Sequence, residues 1–210
     1  MRSVLIADDH AMLRTGLRSF LERDPWIGPI GEATTGVQTL QRLREEPWAL
    51  VLLDINMPDR SGLDILRHIR SGYPGTPVLI MSGYAEAQYA VLALKAGAAG
   101  YLQKDRAPAE WLAAVRTVLS GRRFVSENLQ DMLVAALDKP CEQPPHAALS
   151  ERQFQILCKV ALGRTLQAIA RELCITPKTV SSHRARLLEK MGLRTNGELI
   201  TYAVRNGLVQ

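Results

Sequence analysis

Five short apolar runs alternate with amphipathic segments over the first 120 residues. The runs span residues 3–7, 27–33, 49–53, 77–81 and 99–103, and the amphipathic segments cover 11–23, 36–44, 62–71, 86–96 and 107–119. In these segments apolar side chains recur at spacings of three and four, which is typical of helices with one buried face. This alternation predicts an α/β doubly wound fold, in which helices cover both faces of a parallel, five-stranded sheet.

Polar side chains follow four of the predicted strands. Asp8 and Asp9 follow the first strand, Asp54 the third, Ser82 the fourth and Lys104 the fifth. We expect them to converge, because the carboxyl ends of the strands in such a sheet lie side by side. Crowded carboxylates repel one another unless they share a cation, and carboxylate oxygens suit Mg²⁺. The pattern favours phosphoryl transfer to Asp54, with Mg²⁺ on Asp8 and Asp9 and with Ser82 and Lys104 holding phosphoryl oxygens.

Each of these residues also has an ordinary structural explanation. Asp8 and Asp9 could cap the following helix, and Asp54 could be a turn acid. Ser82 could belong to a plain Ser-Gly turn, and Lys104 could be a solvated surface lysine. Their joint occurrence at successive strand ends favours a shared site.

The pattern of alternating strands and helices weakens after residue 121. Residues 128–137 could form one short helix, and residues 138–148 contain three prolines and read as a linker. Helical patterns then cover 151–161, 166–173, 177–191 and 197–205. We therefore predict one domain at 1–122, a linker at 123–148 with a possible short helix, and a small all-α domain at 149–210.

Residues 165–191 read as a helix, a turn and a second helix. Thr165 and Thr176 are suitable N-caps, and Pro177 suits the first position of the second helix. Residues 149–210 carry ten Lys or Arg against four Asp or Glu, whereas residues 1–122 carry 14 against 13. A plain helical bundle is the alternative, but the basic excess favours a polyanion partner such as DNA.

Four segments show which family the first domain resembles. VLIADDH, LVLLDINMPDRSGLD, VLIMSGYA and AGYLQKD closely resemble the receiver domains of bacterial response regulators, over residues 1–121. The resemblance implies that Asp54 is the phosphoacceptor and that Lys104 binds its phosphate. It also implies a Mg²⁺ site made of Asp8, Asp9, Asp54 and the backbone carbonyl of Asn56. Ser82 and Tyr101 would form the signalling switch. Ordinary packing on a strand is the alternative for Tyr101.

The segments LSERQFQIL and GRTLQAIARELCITPKTVSSHRARLLEKMGL resemble the LuxR-type helix-turn-helix DNA-binding domain over residues 149–210. In that family the second helix of the motif enters DNA and the last helix commonly forms a dimer. This chain departs from the usual pattern at Gln167, Ala168, Ser181 and Phe154. The candidate DNA-binding residues are Lys178, Thr179, Ser181, Ser182, Arg184 and Arg186.

Together the two resemblances imply a NarL/FixJ-type two-component response regulator. A partner histidine kinase would phosphorylate Asp54, and the phosphorylated homodimer would bind double-stranded promoter DNA and regulate transcription, with RNA polymerase as a further partner. One alternative is a constitutive DNA binder whose receiver is only a protein-interaction module. The other is an enzymatic output, which we do not expect because residues 149–210 contain no second acidic, nucleophilic or metal-binding constellation.

The cysteines and the hydropathy bear on location. Cys141, Cys158 and Cys174 are odd in number and form no CxxC pair, which is typical of reduced thiols and implies neither a zinc site nor a disulfide framework. No apolar stretch is long enough for a signal-peptide core or a membrane span. We expect a cytoplasmic protein with no membrane partner.

Overall fold

A computed structural model of the chain describes residues 1–83, 86–126, 129–130, 145–206 and 208–209. It divides into two compact units, Met1–Ala136 and Leu137–Gln210, called the first and the second unit below. The first unit has the predicted alternation. Its strands are β1 (Arg2–Ala7), β2 (Ile27–Ala33), β3 (Leu50–Asp54), β4 (Val78–Ser82) and β5 (Gly100–Gln103), and its helices are α1 (Ala11–Leu21), α2 (Gly36–Glu45), α3 (Gly62–Gly72), α4 (Glu86–Lys95) and α5 (Pro108–Leu119).

The five strands form one parallel sheet in the order β2-β1-β3-β4-β5. With right-handed crossovers this order places helices on both faces, and the order reverses between β1 and β3. The central strands β3 and β4 are buried along their whole length, which is why they read as continuous apolar runs. The predicted five-stranded doubly wound fold is confirmed.

Two strands extend one residue further than the apolar pattern indicated. Asp54 and Ser82 do not follow β3 and β4 but end them, with Asp54 opposite Met81 and Ser82 opposite Gln103. The ladder continues because the amide of Ile55 donates to the Met81 carbonyl at 3.1 Å and the amide of Lys104 donates to the Ser82 carbonyl at 2.8 Å. Backbone hydrogen bonds decide these boundaries, and hydropathy does not reveal them.

The second unit is helical. A 3₁₀ helix (Pro145–Ala148) precedes α6 (Glu151–Ala161), α7 (Leu166–Glu172), α8 (Pro177–Met191) and α9 (Asn196–Arg205). The predicted caps form: the hydroxyls of Thr165 and Thr176 accept from the amides of Ala168 and Thr179, and Pro177 occupies the first helical position. Gly192 ends α8 with a positive φ of 66°, a conformation that glycine adopts without strain.

The two described ends of the predicted linker, residues 123–148, make specific contacts. Phe124 bridges to Gly100 at the edge of β5, and its amide donates to the Ala99 carbonyl at 2.9 Å. In the 3₁₀ helix, His146 Nδ1 lies 2.7 Å from the Tyr202 hydroxyl. Those ends are therefore more ordered than a linker requires. The predicted helix over 128–137, apart from residues 129–130, and Cys141 lie outside the described residues.

Candidate functional site

The carboxyl ends of β1, β3 and β5 bring three charged side chains together. Asp8 follows β1, Asp54 ends β3 and Lys104 follows β5. Lys104 Nζ lies 2.7 Å from an oxygen of each carboxylate, and it donates a hydrogen bond to Asp54 Oδ2. Both carboxylates are fully buried and only 16% of the Lys104 side chain is exposed. Lys104 is therefore not a solvated surface lysine.

Asp9 and His10 complete this group, which we call the acidic pocket: Asp8, Asp9, His10, Asp54 and Lys104. One ligand atom from each of the first four lies within 4.8 Å of the others. Sequence reasoning missed His10, whose Nδ1 lies 2.7 Å from Asp9 Oδ1 and 3.1 Å from Asp8 Oδ1. The only signal for it in the sequence is its place directly after the acid pair.

The pocket has an excess of buried negative charge. Burial raises the pKa of the Asp54 carboxyl above its ordinary value; the Lys104 ammonium opposes this shift and the Asp8 carboxylate adds to it. Although Asp8 Oδ2 forms an ion pair with Lys104, it is buried and accepts no well-aligned hydrogen bond from the described residues. Such oxygens fit a hard divalent cation, which could supply the missing positive charge.

Asp8 and Asp9 are not the N-caps of α1. His10 holds that position without a side-chain hydrogen bond, and its amide donates to Asp8 Oδ1 at 2.8 Å. The capping explanation for the acid pair is therefore wrong in this detail. The Asp8 carboxylate instead orders the turn that leads from β1 into α1.

The loop after β3 packs directly against the backbone of Asp54. A Cβ on Gly62 would lie 2.3 Å from the Asp54 carbonyl oxygen, so only glycine fits. The Asp59 carboxylate in the same loop accepts from the amides of Gly36 and Val37 at the start of α2, at 2.7 and 2.8 Å. Burial opposes ionisation of Asp59, but these backbone donors hold its pKa below the ordinary value.

The other predicted residues lie around the pocket as follows. The Asn56 amide donates to Asp54 Oδ1 at 3.1 Å, so the Asp54 carboxylate closes a turn that ends at Asn56. Ser82 is buried at the end of β4, and its carbonyl accepts the Lys104 amide. Tyr101 is buried on β5 opposite Ile80. The sheet therefore places Ser82 on the strand next to the one that carries Asp54, and Tyr101 one strand further, on β5.

In the second unit, α8 presents a polar face and buries an apolar one. Spacings of three and four in the sequence predict a buried stripe of Val180, His183, Leu187 and Met191. Val180, Leu187 and Met191 are buried, whereas His183 is only half-buried and Leu188 is buried in addition. Four of the six predicted DNA-binding residues are exposed, namely Lys178, Ser181, Ser182 and Arg186.

The remaining two residues are half-buried and hydrogen-bonded. The Thr179 hydroxyl lies 2.8 Å from the Thr176 hydroxyl, and Arg184 Nε donates to Asn196 Oδ1 at 2.6 Å. The sequence placed Arg184 beside the apolar stripe of α8. The structure shows that its guanidinium reaches the start of α9.

Comparisons with known proteins agree with both units. Residues 4–116 match the family described as response regulator receiver domain, and residues 147–203 match bacterial regulatory proteins of the luxR family. The chain is 34% identical over 209 residues to the response regulator UvrY of Escherichia coli (strain K12), covering 99% of this chain and 96% of UvrY. It is 35% identical over 209 residues to the response regulator GacA of Pseudomonas protegens, covering 100% and 98%.

Solved structures agree on the fold. RcsB from Salmonella enterica serovar Typhimurium, bound to promoter rprA, matches with a TM-score of 0.67 and 23% identity over 96% of this chain and 97% of that one. No described helix is long and apolar enough to cross a membrane. The chain belongs to the NarL/FixJ-type two-component response regulators, which join a receiver domain to a LuxR-type DNA-binding domain.

Proposed function

We propose that Asp54 is the residue that a histidine kinase phosphorylates, and that its phosphorylation controls binding of α8 to promoter DNA. One observation carries the proposal: Lys104 Nζ lies 2.7 Å from the buried carboxylates of both Asp8 and Asp54. A carboxylate nucleophile beside a fixed ammonium suits phosphoryl transfer, because most of the catalysis consists of positioning and charge stabilisation. The ammonium of Lys104 can hold a phosphoryl oxygen without leaving the pocket.

The residues that would hold Mg²⁺ are Asp8, Asp9, Asp54 and the backbone carbonyl of Asn56. When bound, the ion supplies positive charge for the carboxylates and for the phosphoryl oxygens. Ser82, on the neighbouring strand, is the hydroxyl that would bind the phosphoryl group on Asp54. Its movement would be transmitted to Tyr101 on β5 and so to the surface of the receiver.

The output we propose is a homodimer on double-stranded promoter DNA. Lys178 and Ser182 lie on the exposed face of α8 near its N-terminus, where helices of this motif reach base edges. Arg186 lies further along the same face and suits a phosphate contact. The other proposed contacts are Thr179, Ser181 and Arg184, and the last of these must release or share Asn196 to reach DNA.

The test uses the full chain and phosphoramidate as the phosphate donor. We expect the intact mass to increase by one phosphoryl group when Mg²⁺ is present and to stay unchanged in EDTA. Asp54→Asn is the control and should remain unmodified. Phosphorylation of that variant at the wild-type rate would show that another residue is the acceptor.

A second measurement separates switching from constitutive binding. Promoter affinity is measured with and without phosphoramidate, for the wild type and for Asp54→Asn. We expect the donor to tighten binding only in the wild type. If wild-type protein becomes phosphorylated but its affinity stays the same, the receiver does not control DNA binding and the interaction-module alternative is correct.

A further inference from the structure

Arg14 lies on α1 directly behind the acidic pocket. Its Nη1 donates to the backbone carbonyl of Asp8 at 2.8 Å, and its Nε donates to Glu32 on β2 at 3.2 Å. Only 13% of its side chain is exposed. We propose that Arg14 is a positioning residue, which holds the main chain of Asp8 in the orientation that Mg²⁺ binding requires. The inference rests on the proposed Mg²⁺ site.

The carbonyl that Arg14 binds belongs to the peptide group that joins Asp8 to Asp9. On the N-terminal side of Asp8, the Asp8 amide donates to the Ala33 carbonyl at 3.1 Å. The ladder between β1 and β2 therefore already fixes the peptide group that precedes Asp8. β1 ends at Ala7, and the following peptide depends on the Arg14 hydrogen bond instead. One guanidinium therefore orients two of the proposed metal ligands.

Glu32 fixes the guanidinium of Arg14 in turn. Its second oxygen accepts from Arg18 Nε at 2.6 Å, and Arg18 Nη2 donates to the Ile30 carbonyl at 2.7 Å. The hydrogen bond from Arg18 lowers the pKa of Glu32 despite its burial, and the bond from Arg14 adds to this effect. Glu32 is thus held ionised between two arginines, of which only Arg14 also contacts the chain of the acidic pocket.

Orientation and charge predict opposite effects of removing Arg14. A cation behind the pocket repels Mg²⁺, so charge alone predicts tighter binding when Arg14 is replaced by a neutral residue. Loss of a hydrogen bond that orients a metal ligand typically weakens binding by about 10–100-fold. Because Arg14 donates to both the Asp8 carbonyl and Glu32, we expect the loss of orientation to outweigh the loss of charge repulsion. Removal of Arg14 should therefore weaken Mg²⁺ binding.

The experiment compares wild type with Arg14→Gln, Arg14→Lys and Arg18→Gln in the full chain. The Kd for Mg²⁺ is obtained from the dependence of the melting midpoint on MgCl₂ concentration, followed by tryptophan fluorescence. All three tryptophans, Trp26, Trp48 and Trp111, lie in the first unit, so the signal reports the unit that contains the site. Arg18→Gln is the matched control, because it removes a bond to Glu32 and leaves the Asp8 carbonyl bonded.

We expect Arg14→Gln to raise the Kd by about tenfold, and Arg14→Lys to raise it less because lysine keeps one donor. Arg18→Gln should lower the melting midpoint without Mg²⁺ but change the Kd by less than about twofold. Equal weakening in Arg14→Gln and Arg18→Gln would mean general loosening and would overturn the inference, as would tighter binding by Arg14→Gln.

Two further outcomes are also informative. If Arg14→Gln does not fold, the comparison of Arg14→Lys with Arg18→Gln decides, and equal Kd values in those two variants overturn the inference. If the wild type shows no Mg²⁺ dependence, the proposed metal site itself fails, and this inference fails with it. Wild-type binding together with a wild-type Kd in Arg14→Gln overturns only the role of Arg14.

Discussion

Replacing Asp54 by asparagine should stabilise the first unit in the absence of divalent cations. Asp54 and Asp8 are both fully buried, and oxygens of the two carboxylates lie within 4.8 Å of each other. At an effective dielectric constant of about 20, two like charges at this distance repel by roughly 3 kcal/mol. Asparagine keeps the shape of the side chain and removes this repulsion along with the cost of burying the charge.

One favourable interaction is lost in the same variant, because Lys104 no longer pairs with Asp54. Lys104 keeps Asp8 as a partner at 2.7 Å, so its charge stays compensated. The raised pKa of Asp54 indicates that burial and repulsion outweigh the attraction of Lys104 for the ionised form. We therefore expect Asp54→Asn to raise the free energy of unfolding by about 1–3 kcal/mol.

The measurement is urea unfolding at neutral pH in EDTA, followed by tryptophan fluorescence, which reports the first unit. The series is repeated in MgCl₂, where the wild type should regain stability and the variant should gain less, since it has lost one proposed ligand. Asp9→Asn is a useful control because Asp9 is partly exposed and its charge is less costly. A wild type more stable than Asp54→Asn in EDTA would refute the reasoning and would show that the ion pair with Lys104 dominates.

Three further predictions concern other parts of the chain. Gly62→Ala should slow phosphorylation by phosphoramidate and lower the melting midpoint, because its Cβ meets backbone at 2.3 Å. Asp24→Asn should cost about 1–3 kcal/mol in urea unfolding near pH 7, because buried Asp24 accepts from Arg116 at 2.7 Å. That bond is the main reason why the pKa of Asp24 is lowered. The extra stability of the wild type over Asp24→Asn is therefore present above the ordinary carboxyl pKa, and it shrinks as the pH falls through the lowered pKa of Asp24. In salt titrations of promoter binding, Lys178→Ala should weaken affinity and Arg186→Ala should reduce the salt slope by about one unit; wild-type behaviour of both would contradict the proposed docking of α8.

The sequence was sufficient to predict the sheet and the convergence of Asp8, Asp54 and Lys104. Topology accounts for this, since parallel strands place their carboxyl ends together whatever the loops do. His10 and Arg14 escaped sequence reasoning because their contacts depend on the path of one short turn after β1. A helix residue five positions beyond an acid pair gives no sign that it will donate to the carbonyl of Asp8.

Helix α8, which we propose to bind DNA, was predicted less completely than the pocket. Its apolar spacing identified the buried face, because burial follows helical period. The hydrogen bond from Arg184 to Asn196 depends on how α8 packs against the start of α9, which the spacing of residues in α8 alone does not specify. For the same reason we expect Arg184 and Arg186 to act differently on DNA despite their shared charge, since Arg184 is held by Asn196 and Arg186 is exposed.

The free-energy cost of burying the carboxylates of the acidic pocket also explains why the conformational equilibrium of the first unit should depend on the ligand bound there. A ligand shifts an equilibrium only by the difference between its affinities for the two states, and buried, undercompensated carboxylates provide a large difference for any added positive charge. A pocket neutralised by a second lysine would be more stable and less sensitive. Arg14 adds its charge behind the backbone, where it orients the acid pair and leaves the carboxylates of Asp8 and Asp54 facing Lys104. We therefore expect that the instability that Asp54→Asn should relieve is the property through which the proposed cation and phosphoryl binding switch the receiver.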